Sequence, residues 1–192
     1  MADETVKAEK QAGIGRSEPL RLAVTVLMVV LWVADLLVHH TNAQKVLGLV
    51  LITVLARVTI TDLEERRIHN GLTLAAAFVA VVLGLAMHPS GLLGQLLWSA
   101  GMFSFMLFFA VASRGGLGMG DVKLGAVLGL FLSRYVVFGV AIGLLASSLY
   151  GVSLMARHGL SVGRKTAIPL GPFLAFGGVV AVLAGPWLLS AT

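Results

Sequence analysis

Long apolar runs separated by short polar breaks dominate the chain. The runs are Leu20–Val38, Val46–Thr61, Leu72–Met87, Leu92–Ala112, Val122–Leu132, Tyr135–Ala156 and Ile168–Leu189. Most reach or approach the roughly 17 residues that a helix needs to cross a bilayer. The strict polar–apolar alternation of barrel strands is missing, so the pattern predicts an all-α, polytopic transmembrane helical bundle of about seven spans. Val122–Leu132 is short for a span. We expect it to extend to Gly120 and past Leu132; six spans, with this run re-entrant, is the alternative. Ahead of the first run, residues 1–19 are polar, of mixed charge and without apolar periodicity. They are predicted to form a disordered cytoplasmic tail before a membrane domain at 20–192. The first run has basic residues in front of it, as a signal sequence does. Its length and its lack of a small-residue cleavage site predict an uncleaved span.

Composition agrees with the pattern: 58% of residues are hydrophobic, 12% are charged, and the mean hydropathy is +0.96. With no cysteine, disulfides, thiolate metal sites and cysteine nucleophiles are excluded. A pI near 10.1 does not point to nucleic acid, because the basic residues are scattered through short inter-helix loops. There, they report topology. With seven spans and the N-terminus inside, twelve basic residues (Lys7, Lys10, Arg16, Arg21, Arg57, Arg66, Arg67, Arg114, Lys123, Arg157, Arg164 and Lys165) fall on the cytoplasmic side. Lys45 and Arg134 fall outside. The positive-inside rule favours this asymmetry, and a re-entrant fifth run would spoil it by moving the Arg157–Lys165 loop outside.

A few charged residues interrupt the apolar pattern. Asp35, near the end of the first run, is expected to reach headgroup water. The second run ends in a charged knot, Thr61-Asp62-Leu63-Glu64-Glu65-Arg66-Arg67-Ile68-His69-Asn70. The glycine-rich stretch Gly115–Gly125 delivers Asp121 to the start of the fifth run. Taken alone, these glycines break a helix and Asp121 caps the next one, or they let a substrate backbone approach an acid held at the membrane boundary. Parity adds a constraint: Asp62 closes the second span and Asp121 opens the fifth, so both face the cytoplasmic edge. If those spans pack together, like-charge repulsion separates the two protonation steps and the pair holds one proton near neutral pH. Such a pair can do general acid and base work on a peptide bond.

Three stretches resemble the type IV prepilin peptidases. Asp62, followed six and eight residues later by Ile68 and Asn70, is similar to the family's first motif. Gly118-Met119-Gly120-Asp121-Val122-Lys123-Leu124 is similar to its Gly-x-Gly-Asp signature. Lys165-Thr166-Ala167-Ile168-Pro169-Leu170-Gly171-Pro172-Phe173-Leu174-Ala175 resembles its late proline and glycine segment. The resemblance implies an aspartic endopeptidase with Asp62 and Asp121 as catalytic residues and Gly118, Gly120 and Lys123 in the active-site loop. It implies no metal and no organic cofactor. The implied partners are membrane lipid and pilin or pseudopilin precursors, whose short basic leader is cut at the cytoplasmic face of the inner membrane. His69 stands where the family usually has proline, leaving the turn after Asp62 less rigidly preset. His39, His40, His88 and His158 show no ligand spacing with it. The chain looks like a short, peptidase-only member without the cysteine-bearing domain that accompanies methylation.

Other polar residues carry two readings each. Glu64 and Glu65 form a solvated loop face or attract a basic leader. Lys123 tunes Asp121 and its loop or snorkels at the boundary. Asn70 joins them as a candidate substrate contact. Pro169, Gly171 and Pro172 are an entry turn to the last span or a break whose free backbone groups pair with substrate. The competing class is a small ion-coupled transporter or channel, which calls for charges near the midplane and two related halves. Both aspartates lie at the edge, and no internal repeat is apparent. A presenilin-like protease shares the Gly-x-Gly-Asp signature, but the Asp62–Asn70 motif favours the prepilin branch.

Overall fold

A computed structural model of the chain describes residues 2–38, 41–113, 116–158 and 169–190, with side chains for 18–38, 41–113, 116–157 and 169–184. The side chains of Lys7, Lys10 and Arg16, together with His39, His40, Arg114, Gly115, the loop holding Arg164 and Lys165, and the stretch up to Ile168, lie outside the described residues. Among the described residues there are seven α-helices: α1 (Ala2–Val38), α2 (Asn42–Glu65), α3 (Asn70–Met87), α4 (Leu92–Ala112), α5 (Met119–Leu132), α6 (Val136–His158) and α7 (Gly171–Ser190). The polar stretch expected as a tail forms the first half of α1, with Pro19 inside the helix. Its Ala, Glu, Lys and Gln are good helix formers even without an apolar stripe.

Among the described residues, five stretches are long and apolar enough to cross a membrane: Glu18–Val38, Asn42–Glu65, Asn70–Met87, Pro89–Ala112 and the continuous Met119–Arg157. The chain is a multi-pass helical membrane protein. Met119–Arg157 comprises α5 and α6 joined by a 3-10 turn at Ser133–Tyr135. The expected extension of the fifth run beyond Leu132 is not found. Ser133 adopts φ 51° and ψ −129° and ends α5 there. At 14 residues, α5 is about 21 Å long, short of the ~30 Å hydrocarbon layer.

Packing explains why so short a helix holds its place. α5 touches α2, α3, α4, α6 and α7, and nine of its 14 residues are buried, so it is the core around which the others stand. Small residues set the spacing. A Cβ on Gly129 would run into the Ser99 backbone of α4, and one on Gly125 would meet Met106. At that close approach Ser99 Oγ donates to Ala126 O at 2.8 Å. Gly139 and Gly143 of α6 face Gly177 and Phe173 of α7 in the same manner. Without a hydrophobic driving force between helices in lipid, close backbone packing of this kind supplies the association energy.

Asp35 departs from expectation. Its side chain is fully buried where α1 meets α2, in a space left open by Gly48, whose missing Cβ would collide with the carboxylate. The glycine turns an apparent boundary residue into an interhelical one.

Candidate active site

Asp62 lies on the last full turn of α2 and is 6% exposed. The helix ends just beyond it: Arg66 takes a left-handed conformation at φ 53° and donates its N–H to Asp62 O at 3.0 Å, an αL cap. The side chain turns the other way. Asp62 Oδ2 accepts the backbone N–H of Gly171 at 3.0 Å, across 109 residues of sequence. Gly171 opens α7, so the carboxylate sits at the positive end of that helix and takes one of its free donors. Only glycine fits this contact, since a Cβ on Gly171 would lie 2.7 Å from Asp62 Oδ2.

Asp121 occupies the first turn of α5 and is half-buried. Gly118 is the N-cap residue and has no side chain to cap with. Asp121 compensates by reaching back to the Gly118 backbone, the reciprocal half of a capping box. The capping reading of Asp121 and the boundary-acid reading therefore describe one arrangement. A Cβ on Gly118 would stand 3.1 Å from Asp121 Oδ2, and one on Gly120 would stand 3.0 Å from Ile68 Cβ. The glycines thus let the head of α5 close onto its own carboxylate on one side and onto the α2–α3 loop on the other.

The packing that parity required is present: α2 and α5 are in contact, and the Asp62 and Asp121 carboxylates interact electrostatically. Both stand at the end of the bundle that carries the charged knot. Around them, Lys123 Nζ donates to Asn70 Oδ1 at 2.8 Å. That bond ties α5 to the start of α3 and joins the first two motifs. Pro169 and Leu170 lead into α7, and Leu170 O accepts from Phe173 N and Leu174 N at 3.1 and 3.0 Å. The segment forms an entry turn to α7. The N–H of Gly171, one of the groups expected to be free for substrate, is already given to Asp62.

Glu64 and Glu65 part company. Glu64 turns to α1, where Arg21 Nε and Nη2 donate to its two carboxylate oxygens at 2.9 and 3.0 Å. A planar fork of this kind fixes both partners. Glu65 is exposed and lies 3.3 Å from His69 Nε2. His69 has φ −69° and ψ 129°, a conformation that proline itself adopts. The backbone after Asp62 is therefore set as proline would set it. Sequence reasoning missed Arg21 as a partner of this site. Its signal was present: a basic residue at the head of the first span, on the same side as an acidic knot. Among the described residues no group of three or more His, Asp or Glu is placed to hold a metal.

Comparison with known proteins bears directly on this arrangement. Residues 49–156, which hold both carboxylates and most of α2 to α6, match the model of the type IV leader peptidase family. The chain belongs to that family. Among curated proteins it is 30% identical over 150 residues to the prepilin leader peptidase/N-methyltransferase of Bacillus subtilis, covering 74% of this chain and 57% of that protein. It is 29% identical over 195 residues to the protein of the same description in Aeromonas salmonicida, covering 94% and 64%, and 26% identical over 153 residues to that of Legionella pneumophila, covering 77% and 53%. The chain spans a little over half the length of these relatives. No solved structure matches it. Membership in a peptidase family sets aside the transporter reading.

Proposed function

We propose that the chain is an aspartic endopeptidase that removes the short basic leader from pilin or pseudopilin precursors at the cytoplasmic face of the inner membrane, its own N-terminus on that side. The observation that carries this reading is the placement of the two motif carboxylates within electrostatic reach of each other: Asp62 and Asp121, 59 residues apart in sequence, stand on two helices that are in contact. Family membership and the names of the relatives supply the substrate class.

The chemistry follows from the pair. The ionised carboxylate takes a proton from water as its oxygen attacks the scissile carbonyl, while the protonated carboxyl donates a hydrogen bond to that carbonyl oxygen. Collapse of the tetrahedral intermediate breaks the C–N bond, and the amine leaves with the proton taken from water. No acyl-enzyme forms, and no metal or organic cofactor takes part. Gly171 N–H holds Asp62 in one orientation, and the α5 N-terminus holds Asp121, so neither carboxylate needs to reorganise before reaction. Methyl transfer is not part of the proposal.

Reconstitution with a pilin precursor in lipid vesicles, followed by mass analysis of the product, tests the reading. A single cut between the basic leader and the apolar helix is expected; an uncut precursor, or cuts scattered through the leader, would reject it.

A further inference from the structure

Among the described residues, two cavities have almost entirely apolar walls. One, of about 310 Å³, lies between α4 and α6 and includes Phe105 and Ala141. The other, of about 550 Å³, lies between α1, α2 and α7, with Leu27, Leu31, Ala56, Thr59, Pro172 and Phe176 in its walls. Apolar voids in a bilayer interior do not fill with water. Acyl chains could occupy both. Their surroundings, however, are unequal. The α4–α6 cavity includes none of the candidate site residues. The larger one runs to the candidate catalytic end: Thr59 is one turn before Asp62 on α2, and Pro172 follows Gly171, whose N–H holds Asp62.

The α1 wall of this cavity is held in a particular way. Arg21 grips Glu64 at one end. Toward the other end, Trp32 Nε1 donates to Leu49 O at 3.2 Å and Asp35 is buried against Gly48. Between these anchors, from Leu22 to Leu31, none of the side chains is buried. A helix pinned by polar contacts at its ends and loosely packed between them is easily moved aside or rebuilt around a guest.

We propose that the groove between α1, α2 and α7 receives the apolar helix of the protein being cleaved. A helix laid along it brings its cytoplasmic end to Asp62, where the peptide bond preceding that helix must be cut. This inference rests on the peptidase reading and adds the surface that aligns the substrate. The nearness of Thr59 and Pro172 in its walls to Asp62 and Gly171 is what separates this groove from the α4–α6 cavity as a docking surface. Lipid packing favours neither.

The absence of cysteine makes the test clean. Single-cysteine variants Ala56→Cys and Phe176→Cys in the groove, and Phe105→Cys in the other cavity, are each combined with Asp121→Asn so that precursor persists. Each is oxidised in membranes with a pilin precursor carrying one cysteine in its apolar helix. Disulfides from Ala56→Cys and Phe176→Cys, with few or none from Phe105→Cys, are expected. Equal yields from both cavities, or none from the groove, overturn the proposal. Kinetics on the otherwise unaltered chain give a second measure. Ala56→Phe, which fills the groove, should raise KM for the precursor about fivefold with little change in kcat, while Ala141→Phe in the other cavity changes neither. Unchanged KM in Ala56→Phe counts against docking there. Should the unaltered chain fail to cut the precursor, the peptidase reading falls and this one with it. Cutting without groove cross-links rejects this one alone.

Discussion

At the scale of single residues, glycine contacts define the carboxylates. Gly171→Ala keeps the N–H that Asp62 accepts but places a methyl 2.7 Å from its Oδ2, so the carboxylate must shift by a few tenths of an ångström or more. A misplacement of about 1 Å at a reacting group can cost about 10²-fold. We expect Gly171→Ala to insert normally, on an immunoblot of membranes, and to lower kcat at least about tenfold in the precursor assay. His69 makes the opposite case. Because its φ is already −69°, His69→Pro should raise stability by about 0.4–1 kcal/mol by restricting the unfolded chain. Activity should be retained, as thermal unfolding in detergent and the same cleavage assay will show. Both aspartates could be read as boundary acids from their place in the sequence. The Gly171–Asp62 bond could not, since a backbone donor 109 residues away leaves no local pattern. Asp35 misled for a related reason: in a nearly all-apolar helix, periodicity does not tell which face is buried, and its space is provided by a glycine on another helix.

At the scale of elements, the loop-to-helix junctions carry the site and α5 carries the bundle. The order of the helices and the placement of both acids at one end of the bundle were legible because apolar runs and their parity follow from the thickness of the bilayer. The true length of α5 was not, because burial among neighbouring helices removes the need to span. Its end is set by Ser133, whose φ of 51° and ψ of −129° lie in a region that only glycine occupies without strain of order 1–3 kcal/mol. Ser133→Gly should therefore raise the melting temperature of the purified protein without altering cleavage; a lowered melting temperature would show that Ser133 contributes more through its side chain than it costs in backbone strain.

For the whole molecule, the account requires that the charged knot and the head of α5 share one side of the membrane, and that the α1–α2 loop lie on the other. Single cysteines in this cysteine-free chain report that directly. In intact cells, Gln44→Cys should react with an impermeant maleimide, and Arg67→Cys should react only after the cytoplasmic side is opened. Reaction of both from outside would break the parity argument and the cytoplasmic placement together.

The central claim is that Asp62 and Asp121 act as one catalytic pair. Its most direct test is co-expression of a pilin precursor with the unaltered chain, with Asp62→Asn and with Asp121→Asn, comparing precursor length and membrane insertion. A shortened precursor with the unaltered chain alone, and a loss of about 10²-fold or more in each variant at equal insertion, is the predicted result. Cleavage by either variant at the rate of the unaltered chain would contradict the account.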